Sequence, residues 1–350
     1  MNIKVKGEMV IIGCGGAGIS IVGNLKEPLE NLGSGFSNIR VEYVDTSLAD
    51  INSFKGDEDN FYLIKSSGVS KEILGSGGSR RENAKDIVEG VKEFVDNKKF
   101  NKSKVSTYYV VVSSGSGGSG SVISAMLIKN LLEKNLPVIS VVVGDSTITQ
   151  YTKNTLGTLA TLDGVAKSTK KALSVMYNDN AKGMGTGKDA KEESIDREIF
   201  RKLSALSLFL SGENKSIDQK DMVNFIEQSQ STELNIKEGL YSVDVFVKDI
   251  ELPAHAHVTG IRTIGTVESG TDNNIEKLDH IKRGTTDNNN VIQLFKEQFP
   301  IHLVSYANAF TGISMELTDC IREADERSKA STVDSISNGF TADEDGLVFG

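Results

Sequence analysis

Short apolar runs rich in β-branched residues alternate along this chain with small-residue loops and with helical patterns. Met9-Val10-Ile11-Ile12 predicts a first strand, which enters Gly13-Cys14-Gly15-Gly16-Ala17-Gly18 and then a helix over 19–25. Residues 40–44 predict a second strand ending at Asp45. A third, Tyr108-Tyr109-Val110-Val111-Val112, leads through Ser113-Ser114-Gly115-Ser116-Gly117-Gly118-Ser119-Gly120-Ser121 into an apolar helical pattern over 122–132. Residues 137–143 and 173–176 predict two further strands, separated by a helix over 148–171. Ala84, Ile87, Val91 and Phe94 recur at helical spacing within 82–97, behind another polar small-residue loop that ends in Arg80-Arg81. Strands and helices in alternation predict an α/β domain with a parallel sheet.

The pattern then changes. Residues 181–193 are polar and predict an exposed loop. Residues 194–210 become increasingly apolar through Ile195, Ile199, Leu203, Leu206 and Leu208 and predict a buried helix, closed by Ser211-Gly212. A short helix over 222–228 follows, with Asp221 as a candidate N-cap and Asp218 as an ordinary loop carboxylate. Strands are expected at 240–247, at 257–267, near Val291 and at 302–305, with 268–290 polar and turn-rich. A helix over 309–329 ends the second domain, before a polar tail that is expected to be extended.

Composition narrows the function classes. The 350 residues suffice for two domains, and a net charge of −9 argues against a general binder of nucleic acid or anionic membrane. The two cysteines, Cys14 and Cys320, define neither a disulfide framework nor a zinc site. No apolar run is long enough to span a bilayer and the N-terminus lacks a signal-peptide core, so a soluble, intracellular protein is expected.

A strand, a small-residue loop and a helix start bring backbone N–H groups to the positive end of a helix dipole, an arrangement that binds phosphate. Gly13, Gly15 and Gly18 satisfy G-x-G-x-x-G, and Asp45 stands where a dinucleotide fold places the acid that meets a ribose. This first segment alone fits an NAD-binding oxidoreductase. Three such loops in one domain exceed what a dinucleotide needs, however. There is no G-x-S-x-G nucleophile elbow, and all 4 histidines lie in the second half. Several phosphate loops with few catalytic side chains imply a nucleoside triphosphate held mainly by backbone. His255-x-His257 has no supporting carboxylate or cysteine cluster, so no protein metal site is read. Asp343-Glu344-Asp345-Gly346-Leu347-Val348-Phe349 is either a docking peptide or a solvated tail.

Ser116-Gly117-Gly118-Ser119-Gly120-Ser121 resembles the [SAG]-G-G-[ST]-G-[SA] signature of the tubulin/FtsZ superfamily, with Val122 where a final Gly is usual. The glycine loops ahead of it resemble that superfamily's other phosphate loops. The Gly-Ser-Gly-Ser-Val ending, the Gly-Gly-x-Arg turn and the acidic C-terminus resemble the bacteriophage tubulins. The resemblance implies an α/β fold: a Rossmann-like GTPase domain with a parallel sheet (1–193), a long core helix (194–213), a C-terminal α+β activation domain (214–308), a terminal helix (309–329) and an extended acidic docking tail (330–350).

It also implies roles. Gly15, Gly16 and Gly18 would contact the α- and β-phosphates, with Ser20 near the ribose or base and Asp45 and Thr46 at the second loop. Gly77, Gly78 and Arg80 would sense the γ-phosphate, and Gly117, Gly118, Ser119, Gly120 and Ser121 would cradle the phosphates. Asn154 and Asn178 are candidates for ribose and base, and Asp196 for reading guanine. Asp218-x-x-Asp221 resembles the family's N-x-D-x-x-[DE] loop, with Ser216 where many members have Asn. That loop would enter the next subunit's pocket and polarise the attacking water, with Mg²⁺ neutralising charge on GTP. Asp343, Glu344, Asp345 and Leu347 would contact a neighbouring subunit. The implied protein is a GTPase whose head-to-tail filaments position phage DNA in the cytoplasm of an infected bacterial host, cargo being reached indirectly and membrane not at all. A non-hydrolysing structural filament remains a further reading, on the Ser216 and Val122 departures.

Overall fold

A computed structural model describes residues 6–47, 49, 58–65, 84–100, 107–184, 188–212, 214, 216–229, 238–253, 256–269 and 280–337. Ten strands among them form one sheet: β1 (Glu8–Cys14), β2 (Asn38–Asp45), β3 (Phe61–Leu63), β4 (Thr107–Ser114), β5 (Val138–Gly144), β6 (Ala172–Asp179), β7 (Gly239–Val247), β8 (His257–Gly265), β9 (Ile281–Thr285) and β10 (Ile301–Ala307). Their order across the sheet is β3-β2-β1-β4-β5-β6-β7-β10-β8-β9. Every pairing from β3 to β7 is parallel, whereas β10 runs antiparallel to both β7 and β8. The strands expected of a second domain thus continue the first sheet.

Eight helices flank it: α1 (Gly15–Glu30), α2 (Ala84–Asn97), α3 (Ser119–Glu133), α4 (Thr149–Thr169), α5 (Lys188–Leu210), α6 (Gln219–Ile226), α7 (Asn289–Phe295) and α8 (Ala309–Ser337). Each central strand is apolar on both faces, as a sheet covered on both sides requires. Met9 and Ile11 of β1, with Tyr108, Val110 and Val112 of β4, pack under α1, α5, α6 and α7. Val10, Ile12, Tyr109 and Val111 pack under α2, α3, α4 and α8. The two-residue period of the strand sends neighbours along one chain into opposite cores.

The departures from the expected elements have local causes. α1 runs on through Pro28 to Glu30, its last turns held by Leu25 and Leu29, both buried. The polar stretch before the core helix is itself helical from Lys188, braced by the i,i+4 pairs Lys188–Glu192 (3.6 Å) and Glu193–Arg197. Val291 lies in a helix, α7, because the Asn288 side chain accepts from the backbone N–H groups of Asn290 and Val291 and caps it. β9 falls in the stretch expected to be turns. It is a sheet edge whose Lys282 and Arg283 are exposed, so it lacks the apolar alternation of an inner strand. α8 extends to Ser337, past the expected end of the terminal helix. Among the described residues no helix is long and apolar enough to cross a membrane.

His302 of β10 is buried between Thr263 Oγ1 at its Nδ1 (3.0 Å) and the Lys248 carbonyl at its Nε2 (3.1 Å). Burial lowers its pKa from the ordinary 6.5, against an opposing contribution from the Lys248 carbonyl. The unfolded chain therefore takes up this proton first on acidification, so the stability from neutral His302 is complete above about pH 6.5 and is lost as pH falls below it. Melting temperature is expected to decline on acidification through that window, and His302→Gln to flatten the decline; equal slopes would show that other groups dominate.

Candidate functional site

The parallel strands read β3-β2-β1-β4-β5-β6, so the chain direction across the sheet reverses between β1 and β4. Crevices at the carboxyl ends of strands open at such a switch point. Here β1 leads directly into α1 on one face and β4 leads through 115–118 into α3 on the other.

The two helix starts are pressed together. Gly15 has φ +69°, and a Cβ there would lie 2.5 Å from the Gly120 Cα. A Cβ on Gly120 would lie 2.6 Å from the Cys14 carbonyl oxygen. Gly18 seats α1 on β4, where a Cβ would come within 2.5 Å of the Val112 carbonyl. Neither start is capped by a side chain: the N-cap residues are Cys14 and Gly118. Two sets of first-turn N–H groups therefore face one cleft, lined by Gly15, Gly16, Asp45, Thr46, Gly117, Gly118, Ser119 and Gly120, together with Cys14, Ala17, Ser47 and Ser114.

Side chains stiffen this cradle. The Ser121 hydroxyl is buried and donates to the carbonyls of Gly117 (2.9 Å) and Gly118 (2.8 Å), so it closes the loop from behind. Asn154 of α4 donates from Nδ2 to the Ser116 carbonyl (3.0 Å), and Thr158 donates to that of Gly115 (2.7 Å). Thr46 links the second loop to the third by donating to Ser119 Oγ (3.3 Å), while its own N–H is held by Asp45 Oδ1 (2.7 Å). The Cys14 thiol is pushed well up by burial, with the charge of Asp45 adding to the shift.

The cleft continues along α1 to a second hollow that shares Ala17 and Ser114 with the first. Ser20, Asn24, Asn180, Glu192 and Asp196 line it. Asn24 Nδ2 lies 3.4 Å from Asp196 Oδ2. Burial raises the Asp196 pKa, the Asn24 hydrogen bond opposes this, and the charge of Glu192 adds to it. Sequence reasoning missed Asn24, whose signal was its i+4 spacing from Ser20 on the helix that follows the glycine loop. It also missed Glu192.

Asn178 lies beside the second hollow, paired with Val143, but does not line it: its Oδ1 accepts from the buried Lys202 of α5 (2.8 Å). Lys202 also pairs with Glu198 (2.9 Å) and with Asp244 of β7 (3.3 Å). Gly77, Gly78 and Arg80, and Asp343, Glu344, Asp345 and Leu347, lie outside the described residues. Among the described residues no group of three or more His, Cys, Asp and Glu is arranged to hold a metal ion.

Asp218 and Asp221 form a reciprocal capping box at the start of α6. Asp221 N donates to Asp218 Oδ1 (2.8 Å) and Asp218 N donates to Asp221 Oδ2 (3.3 Å). The N-cap is therefore Asp218, and Asp221 is the third helical residue. This box stands at the far end of the sheet from the cleft. Tyr108, near the start of β4, donates to the Gln219 carbonyl (3.1 Å), whereas Ser114 at the end of β4 lines the cleft. Six residues of strand separate them by about 20 Å. Helix α5 gives the same answer, since Asp196 to Leu210 is about 21 Å of helix.

The cradle's glycines differ in what they tolerate. Gly120→Ala is expected to lower stability by about 1–3 kcal/mol through overpacking against Cys14. Gly117, where a Cβ meets nothing closer than Ser114 Cβ at 3.6 Å, should accept Ala within about 0.5 kcal/mol. Equal losses in urea denaturation would refute the close approach of α1 and α3.

Residues 8–186, more than half of the chain, match the model of the tubulin/FtsZ family GTPase domain. A phage tubulin-like protein of Pseudomonas phage phiKZ is 25% identical over 230 residues, which is 64% of this chain and 64% of that protein, so less than two thirds of the relative's length is spanned. The protofilament structure of TubZ from bacteriophage PhiKZ superposes with a TM-score of 0.72 at 22% identity, covering 98% of this chain and 99% of that one. A GDP-bound structure of the phage tubulin PhuZ gives 0.69 at 21%, covering 97% and 99%. Paired glycine-bound helix starts at the β1/β4 switch point, with the family's domain matched across them, place this chain in the tubulin/FtsZ family.

Proposed function

We propose that this protein is a phage-tubulin-type GTPase that assembles head to tail and hydrolyses GTP only within the filament. The observation that carries the reading is the pair of uncapped helix starts at Gly15 and Gly120, too close for any Cβ, opening on a cleft that runs on to Asp196. A cradle of backbone donors at two dipole ends suits a polyphosphate. Gly15, Gly16, Gly117, Gly118, Ser119 and Gly120 would hold the phosphates, with Gly77, Gly78 and Arg80 joining them at the γ-phosphate. Asp45 and Thr46 would fix the second loop, and Gly18 and Ser121 would keep the cradle in shape. At the other end, Ser20 and Asp196 would meet the nucleoside. A carboxylate accepts from N1–H and the 2-amino group of guanine, which adenine cannot offer. Asn154 would act through the Ser116 carbonyl it holds, and Asn178 through Lys202.

This cleft has backbone donors in plenty, and among the described residues that line it the one acid is Asp45, whose Oδ1 accepts from the Thr46 N–H. Asp218 and Asp221 lie about 20 Å away within the same chain, so they would reach the cleft of the next copy. There they would orient and polarise the attacking water. Mg²⁺, carried by the nucleotide's phosphates with Asp45 or Thr46 near, would supply charge neutralisation on the transferred group. Turnover would then require polymer, and hydrolysis would report back to the interface that produced it. The acidic residues Asp343, Glu344 and Asp345, with Leu347, would dock the tail on a neighbouring subunit. Filaments of this kind suit positioning of phage DNA in an infected cell.

Purified protein with GTP and Mg²⁺ is expected to pellet and to release phosphate above a critical concentration. Binding of a dinucleotide with no effect of GTP would overturn the reading. Asp221→Ala should bind GTP normally, lose at least about 100-fold in turnover and form over-stable filaments; unchanged phosphate release would remove the acid loop from the mechanism. Truncation after Ala342 should raise the critical concentration, and the increase should shrink at high ionic strength if charge steers docking.

A further inference from the structure

Arg262 of β8 is wholly buried, yet it carries the charge of a surface residue. It donates to backbone carbonyls on three elements: Ile261 in its own strand (3.0 Å), His280 just ahead of β9 (3.1 Å) and Asp221 in the first turn of α6 (2.9 Å). Its guanidinium lies over the Phe225 ring, 5.1 Å from the centroid, one turn further along α6. Phe225 in turn fills the space above Gly260, where a Cβ would meet its ring at 3.4 Å. From β9, Lys282 Nζ comes within 3.5 Å of Asp221 Oδ1.

A charge is a poor device for merely joining two strands to a helix. Apolar residues of similar volume do that at lower cost, because a buried cation loses its hydration. Burial lowers the Arg262 pKa to about 10, and the charge of Asp221 pulls it back up. What the guanidinium adds is direction. Its rigid fork fixes the Asp221 carbonyl, and with it the peptide from which the Asp221 carboxylate projects. Lys282 and the Asp218 N–H then take one carboxylate oxygen each, Oδ1 and Oδ2. The other flank of the same turn is fixed independently. Tyr108 donates to both oxygens of Gln219, and Gln219 Nε2 donates to the Leu210 carbonyl (3.0 Å).

We propose that Arg262, assisted by Lys282, is the positioning residue of the acid loop, holding the Asp221 peptide and carboxylate in the geometry in which they meet the neighbour's nucleotide. This rests on the reading that the loop acts in trans. Arg262 touches no substrate and acts only through Asp221. An exchange of Arg262 for lysine keeps the charge and loses the fork.

The test separates the two layers. Arg262→Lys and Lys282→Gln are each assayed for GTP affinity, pelleting and phosphate release per polymerised subunit. Both should bind GTP as the unaltered protein does, while release falls about tenfold in Arg262→Lys and about threefold in Lys282→Gln. Each slow variant is then mixed with Gly117→Val subunits, first checked to bind no GTP and to pellet with the variant, whose side chain at 117 projects into the phosphate loop while their acid loop is intact. Release from the Arg262→Lys clefts should recover, because a competent loop now caps them. Asp221→Ala in the same mixture is the control. If it is not rescued, the trans reading fails; if it is rescued and Arg262→Lys is not, the positioning role fails. Unchanged release in either Arg262→Lys or Lys282→Gln overturns the proposal, and should Arg262→Lys not fold, Lys282→Gln decides alone.

Discussion

The close approach of α1 and α3 is the constraint on which the rest of the structure depends. Gly15 and Gly120 leave no room for a side chain between the two helix starts, and Gly18 leaves none between α1 and β4. The strand order provides the place, since at the β1/β4 switch α1 and α3 leave on opposite faces with their amino ends converging. Uncapped first-turn N–H groups would be a liability in a buried setting. In an open cleft they become a cradle, and the cost of omitting side-chain caps is offset by whatever anion fills it.

The sheet and the core helix set a distance as well as a shape. β4 carries Ser114 at the cleft and Tyr108 at the acid loop, and α5 spans the same interval from Asp196 to Leu210. Both are stiff elements buried along most of their length, so the two ends move together or not at all. The glycine cleft and the Asp218–Asp221 capping box are thereby held apart within one copy. The buried Lys202, tied to Asn178, Glu198 and Asp244, fixes the register of α5 between the parallel and the mixed parts of the sheet.

The alternation of strands and helices, the glycine loops and the apolar core helix were legible because each depends on local pattern. Met9 through Ile12 and Tyr108 through Val112 are apolar at every position, which only a doubly covered strand tolerates. Edges and polar helices were not legible. β9 has little apolar content because one side of it meets solvent, and the first turns of α5 are held by ion pairs that resemble a loop in composition. Val291 looked like a strand residue until the Asn288 cap made its segment a helix. Asn24 escaped notice because its meaning lies in Asp196, 172 positions away.

The sequence by itself determined the alternation of strands and glycine loops, and with it the resemblance to the tubulin/FtsZ family, because glycine spacing is local and chemically specific; Asp218 and Asp221 stood out only through that resemblance. Only the tertiary structure decided how these parts stand to one another. It joined both halves of the chain into one sheet, made Asp218 rather than Asp221 the helix cap, and gave the Asn178 side chain to Lys202. It also drew Arg262 and Lys282 to Asp221 from strands far along the chain. Such contacts depend on how sheet order and helix length bring remote segments together, and no local pattern encodes that distance.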